Sequence, residues 1–97
     1  MPLEHMVWIK FKPGVTAERQ QQHLDGLRSL TGTVPGIRHL AVGANITDRA
    51  MGYTHGLLVR LDDAAALKVY ADHPEHVKVA KPLREDAELL AMDIVGE

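Results

Sequence analysis

The chain has no cysteine among its 97 residues. That excludes a disulfide framework, a thiolate nucleophile and any thiolate metal site. Positive charge is not in excess either: 11 Lys and Arg stand against 13 Asp and Glu, a formal net charge of −2. A basic nucleic-acid surface is therefore not expected. No apolar run approaches the roughly 20 residues of a membrane-spanning helix, and the N-terminus lacks a signal-peptide pattern. No low-complexity run or separate linker interrupts the sequence. The expectation is one cytoplasmic domain over residues 1–97 that binds neither nucleic acid nor membrane. Its 45% hydrophobic and 25% charged residues are ordinary for a soluble globular protein. A chain this short buries a modest fraction of its surface, which favours association.

What the chain does have is clear periodicity. Val7, Ile9 and Phe11 alternate with Trp8, Lys10 and Lys12, which predicts a strand over His5–Lys12 with His5 on the face of Val7. Pro13-Gly14 ends it. Thr16 is a good cap for a helix over Ala17–Thr31, with Leu24, Leu27 and Leu30 inward. Gly32 and Pro35-Gly36 stop that helix. Ile37–Ala44 reads as a second strand and Asn45–Gly52 as a polar loop. In a third strand, Tyr53–Leu61, His55, Leu57, Val59 and Leu61 share one face. Asp62-Asp63 caps a helix over Ala64–Asp72 with Leu67, Tyr70 and Ala71 on its inner face. A broken helical segment after Pro74 ends near Pro82, and Glu88–Val95 is the last strand. The order βαββαβ predicts an α+β, ferredoxin-like fold: a four-stranded antiparallel sheet with helices on one face. The bare face, carrying Trp8 and Leu58, predicts a dimer of two sheets around a shared barrel.

The stretch that carries chemistry is Tyr70-Ala71-Asp72-His73-Pro74-Glu75-His76. Pro74 suits the first position of a new helix, which puts His76 in that helix's first turn. The positive end of the helix opposes protonation there and favours a neutral imidazole, which can act as a base. His73 precedes the proline and reads as a cap or turn residue. His5 can line a pocket, whereas His55 reads as a core histidine. The two lie at opposite ends of neighbouring antiparallel strands, so a joint metal site is not expected. His23 and His39 read as surface residues. Ser29 has no histidine and carboxylate at triad spacing, and Gly32–Gly36 lacks the strand–loop–helix order of a phosphate loop.

These pieces occur together in a recognisable order. They are His5 with Phe11-Lys12, then Val34-Pro35-Gly36-Ile37, Gly43-Ala44-Asn45 and Gly52-Tyr53-Thr54-His55. Leu67, Tyr70 and His73-Pro74-Glu75-His76-Val77 follow. From residue 4 to about 95 the set resembles the stress-responsive A/B barrel (Dabb) family of dimeric α+β barrel proteins. The resemblance implies a homodimer packed through the outer sheet faces, with a pocket in each subunit between sheet and helices. One plant member that it resembles over the whole length is a polyketide cyclase. That enzyme performs an intramolecular aldol condensation without metal or organic cofactor. Its catalytic tyrosine matches Tyr70, its catalytic histidine His76 and a further pocket histidine His5. Two aromatic pocket residues of its first helix correspond here to Leu24 and Leu27, and a pocket tryptophan falls near Asp86 and Ala87.

The resulting expectation is a catalytic pair, His76 as base and Tyr70 as hydrogen-bond donor, with no cofactor and no metal. His5, Leu24, Leu27, Leu57 and His73 are the candidate substrate contacts. The reaction would be a cyclisation, isomerisation or lyase step on a carbonyl or polyketide-like small molecule. Two alternatives stand beside it: a non-catalytic, stress-associated or ligand-binding dimer, and a cofactor-free monooxygenase of the related dimeric barrel type.

Overall fold

The computed structural model describes residues 1–96. The chain runs β1 (Leu3–Phe11), α1 (Ala17–Ser29), β2 (Ile37–Ala44), β3 (His55–Leu61), α2 (Ala64–Asp72), α3 (Pro74–Asp86) and β4 (Ala87–Val95). The strands form one antiparallel sheet in the order β2-β3-β1-β4. This is the expected split βαβ arrangement.

The expected punctuation does its work. Thr16 caps α1 by accepting from the Arg19 amide at 3.1 Å. Asp63 caps α2 by accepting from the Ala66 amide at 2.9 Å. Gly36 turns the chain into β2 with φ of +86°, and a Cβ there would lie 3.2 Å from Ala66. Both facts require glycine at that position. The alternation in β1 and β3 sends Val7, Ile9, Leu57, Val59 and Leu61 inward, where all are buried. Leu27 and Leu30 close over them from the helix layer, together with Tyr70 and Leu83.

Several expectations need correction. Strand β1 starts at Leu3, because the inward Leu3 is buried and pairs with Leu61 and Val95. Strand β3 starts at His55: the Tyr53 amide turns back to the Ala50 carbonyl of the preceding loop, while the Thr54 amide donates to Ile9 of β1. Helix α1 ends at Ser29 and passes through a single 3-10 turn, Leu30–Gly32. Ala71 is exposed, not inward. The segment after Pro74 is not broken: α3 continues through Pro82 to Asp86. Pro82 removes one amide from the helix ladder. Burial of Ala80 and Leu83 on either side holds the segment helical. The surface expectation for His23 also fails. Its side chain is buried against Phe11, and Nε2 lies 2.7 Å from Asp86 Oδ2. His39 is exposed, as expected.

The face of the sheet away from the helices is apolar from the inner strand β1 out to the edge strand β4. Trp8, Leu90, Met92 and Ile94 are all exposed there. It is the bare face that the element order implied.

Candidate functional site

Helices α2 and α3 meet at a sharp bend. His73 is extended (ψ 132°), as a residue before proline must be. It caps α3: its Nδ1 accepts from the Glu75 amide at 3.1 Å. Pro74 occupies the first turn, and His76 follows two residues later. The bend folds His76 back over α2. Its Nδ1–H donates to the Ala71 carbonyl at 3.1 Å. A carbonyl only accepts, so this bond fixes the tautomer and leaves Nε2 as the basic nitrogen.

The same bend packs His76 against Tyr70, with ring centroids 4.3 Å apart and planes tilted by 43°. His5 also lies close to Tyr70, 5.4 Å away between centroids. His5 points inward from β1, and its Nδ1–H donates to Asp93 Oδ1 of β4, the residue it faces in the strand register. Tyr70 thus has two imidazoles beside it, each anchored through Nδ1. It is 1% exposed, and its hydroxyl is buried with no hydrogen-bond partner among the described residues.

Electrostatics set the protonation states. Burial is the largest effect on His76 and lowers its pKa from 6.5. The Ala71 carbonyl bond opposes this, while the charges of Arg84, His5 and His73 add to it. At neutral pH the imidazole is therefore uncharged and basic at Nε2. Burial pushes the Tyr70 phenol up to about 12. It stays protonated and serves as a donor.

The remaining candidates are spread more widely. Leu27 and Leu57 are packed in the core, and Leu24 is buried under α1. His55 lies four pairing positions from His5, edge-on to Phe11, with Nδ1 at 2.8 Å from Thr54 Oγ1. Burial lowers its pKa. Among the described residues, no group of three histidines and carboxylates is arranged to hold a metal. Among the described residues, no helix is long and apolar enough to cross a membrane. Two polar partnerships escaped the sequence reading. Asp93 was visible only as one alternating position of β4, and its meeting with His5 needs the β1–β4 register. His23 carried a signal: it lies four and seven residues before Leu27 and Leu30, on their helical stripe.

The fold and this arrangement define a ferredoxin-like α+β domain with a tyrosine–histidine pair at the bend between its second and third helices. The chain belongs to the family described as Stress responsive A/B Barrel Domain, which matches residues 3–95. It is 33% identical over 76 residues to an uncharacterized protein of Streptomyces coelicolor, covering 76% of this chain and 78% of that one. It is 25% identical over 79 residues to olivetolic acid cyclase of Cannabis sativa, covering 79% and 78%. Among solved structures, a dimeric ferredoxin-like protein of unknown function from Bacteroides fragilis superposes with TM-score 0.83. The identity is 26%, and 98% of this chain and 96% of that one are covered. Hydroxynitrile lyase from Passiflora edulis superposes with TM-score 0.91 at 17% identity over 99% and 94%, a likeness of fold.

Proposed function

We propose that the protein is a cofactor-independent enzyme that moves protons on a carbonyl or polyketide-like small molecule, and that it works as a homodimer. The observation that carries this reading is the orphaned Tyr70 hydroxyl, buried beside an imidazole whose tautomer is fixed. Buried polar groups normally find partners, so an unpaired donor next to a neutral base fits a site waiting for a substrate oxygen. His76 Nε2 takes a proton alpha to a carbonyl while the Tyr70 hydroxyl donates to the developing enolate oxygen. The enolate carbon then attacks a second carbonyl of the same molecule. Protonated His76 returns its proton to the alkoxide, so the acid–base inventory closes. The similarity to olivetolic acid cyclase supports a polyketide-like substrate. The dimeric relative and the exposed apolar sheet face support the homodimer. A specific dimer should bury on the order of 1,200–2,000 Å² in total.

The test is deuterium exchange. The protein is incubated in heavy water with enolisable ketones and linear poly-β-ketides, and exchange alpha to the carbonyl is followed by NMR. Enzyme-dependent exchange or cyclisation of at least one compound is expected. Exchange no faster than buffer across the set contradicts the proposal.

One observation favours the non-catalytic alternative. Tyr70 is packed in the core with Leu27 and Leu57, so a ligand reaches the hydroxyl only if side chains move aside. Under that reading the dimer binds without turnover, and the exchange assay separates the two.

A further inference from the structure

Any ligand for the buried Tyr70 hydroxyl must pass an element that gives way. Helix α3 packs over Tyr70 through His76, and it is held unevenly. Its last turn is fixed to the rest of the chain. Asp86 Oδ2 accepts from Arg19 Nε of α1 at 2.8 Å and lies 2.7 Å from His23 Nε2 of the same helix. The Lys12 amide donates to the Asp86 carbonyl at 2.8 Å, and Lys12 Nζ donates to the Glu85 carbonyl at 3.1 Å.

Residues 74–81, before Pro82, are held differently. Among the described residues, one hydrogen bond ties them to anything beyond α3 and its cap, from His76 to the Ala71 carbonyl. The rest of their hold is apolar, and it centres on a bare spot. A Cβ on Gly26 of α1 would lie 3.3 Å from both methyl groups of Val79. Glycine is unfavourable inside a helix, and here it lets α3 close onto the backbone of α1. Val79 rests on that backbone, a seam with no side chain interlocked across it. His76, Val79, Ala80 and Leu83 recur at helical spacing, so the seam continues the face whose imidazole packs against Tyr70.

A break bounds this segment at each end. Pro82 brings no amide to the Lys78 carbonyl, and its ring crowds that carbonyl, the usual origin of a helix bend. His73 leaves helical geometry altogether, with ψ 132°. We propose that residues 74–81 are the gate to Tyr70. They bow away from α1 between Pro82 and His73, Val79 parts from Gly26, and a small carbonyl compound enters through the seam. Closure re-forms the His76–Ala71 bond, so sealing the site and setting the basic nitrogen are one motion. The inference rests on the reading of Tyr70 and His76 as a ligand site and adds how that site is reached.

The absence of cysteine lets the seam be bolted. The same Gly26 Cβ would lie 3.9 Å from that of Val79, inside the roughly 3.5–4.5 Å that a disulfide spans. The Gly26→Cys/Val79→Cys variant should form this bond on oxidation, keep the wild-type circular dichroism and melt above its reduced form. There are two readouts. One is exchange alpha to the carbonyl across the ketones and poly-β-ketides. The other is the shift of the Tyr70 ring resonances with acetylacetone, which reports entry without turnover. The reduced variant should show what wild type shows, the oxidised variant neither, and dithiothreitol should restore the response. Pro82→Ala supplies the missing amide. It should slow exchange, or ligand association where there is no turnover, about fivefold, one hydrogen bond's share of the closed state. Wild type silent in both readouts overturns the site reading and this inference together. With a responsive wild type, an oxidised variant that responds as fast, or cysteines that do not pair, overturns this inference alone. So does a Pro82→Ala variant as fast as wild type, which decides the matter where the reduced cysteine variant is itself silent.

Discussion

The Nδ1–H of His76 donates to the Ala71 carbonyl oxygen at 3.1 Å, reaching back across the Pro74 bend to the preceding helix. The bond fixes which nitrogen is basic, and burial keeps the ring neutral. In the unfolded chain this histidine takes a proton near pH 6.5; in the folded protein it does so only at lower pH. Between those values the unfolded state holds more protons, so this group's contribution to stability declines as pH falls below about 6.5. Any activity that uses His76 as base should keep its acidic limb below the same value. An NMR titration of the His76 ring should give a midpoint under 6.5, and a midpoint above it would show that burial does not dominate.

Removing the Tyr70 hydroxyl should stabilise the protein. The group is buried and unpaired, and such a group costs about 1–3 kcal/mol. Tyr70→Phe keeps the ring packed against His76 and deletes only that oxygen. Its thermal midpoint should rise by roughly 4–8 °C for each kcal/mol recovered in a domain of this size. A lower midpoint would mean that the hydroxyl has a partner in solution.

His73 holds the first turn of α3 by accepting from the Glu75 amide. His73→Ala should cost about 1 kcal/mol in denaturant unfolding, the usual scale of a lost cap. His73→Asn should recover most of it, because asparagine caps well. Equal stability of the two variants would remove the capping role.

Asp86 joins α1 to the α3–β4 junction. Hydrogen bonds from His23 and then Arg19 hold its carboxyl below the ordinary 3.8. The unfolded chain takes up this proton first as pH falls. The stabilisation is therefore present above about pH 4 and lost as pH falls through the depressed folded value. Asp86→Asn should lower the melting temperature at pH 7, and the gap from wild type should shrink toward pH 3. A gap that is constant with pH would assign the effect to packing.

Much of this fold was legible in the sequence because its signals are local. Period-2 alternation gave the strands, Asp63 and Thr16 gave helix starts, and α2 matches its expected span of Ala64–Asp72. Pro74 placed His76 in the first turn of α3. What failed depended on distant partners. Pro82 reads as a stop, yet burial of its neighbours on both sides carries the helix through. His23 reads as a surface residue because its partner Asp86 lies 63 residues away. The Tyr70–His76 packing was only suggested by the bend, and Asp93 beside His5 required the strand register. The exposed ridge of β4 was visible as alternation, but which face it occupied was not.

The most direct test of the central claim compares wild type, His76→Ala and Tyr70→Phe on whichever enolisable ketone or poly-β-ketide the protein turns over, with thermal melts as the folding control. Loss of a single general base should reduce the rate about 10²–10⁴-fold in His76→Ala. Tyr70→Phe should also lose rate while melting no lower than wild type. The double variant should be little worse than the poorer single, because both groups serve one proton transfer. A folded His76→Ala variant that retains the full wild-type rate would contradict the account and leave this histidine a structural role at the bend.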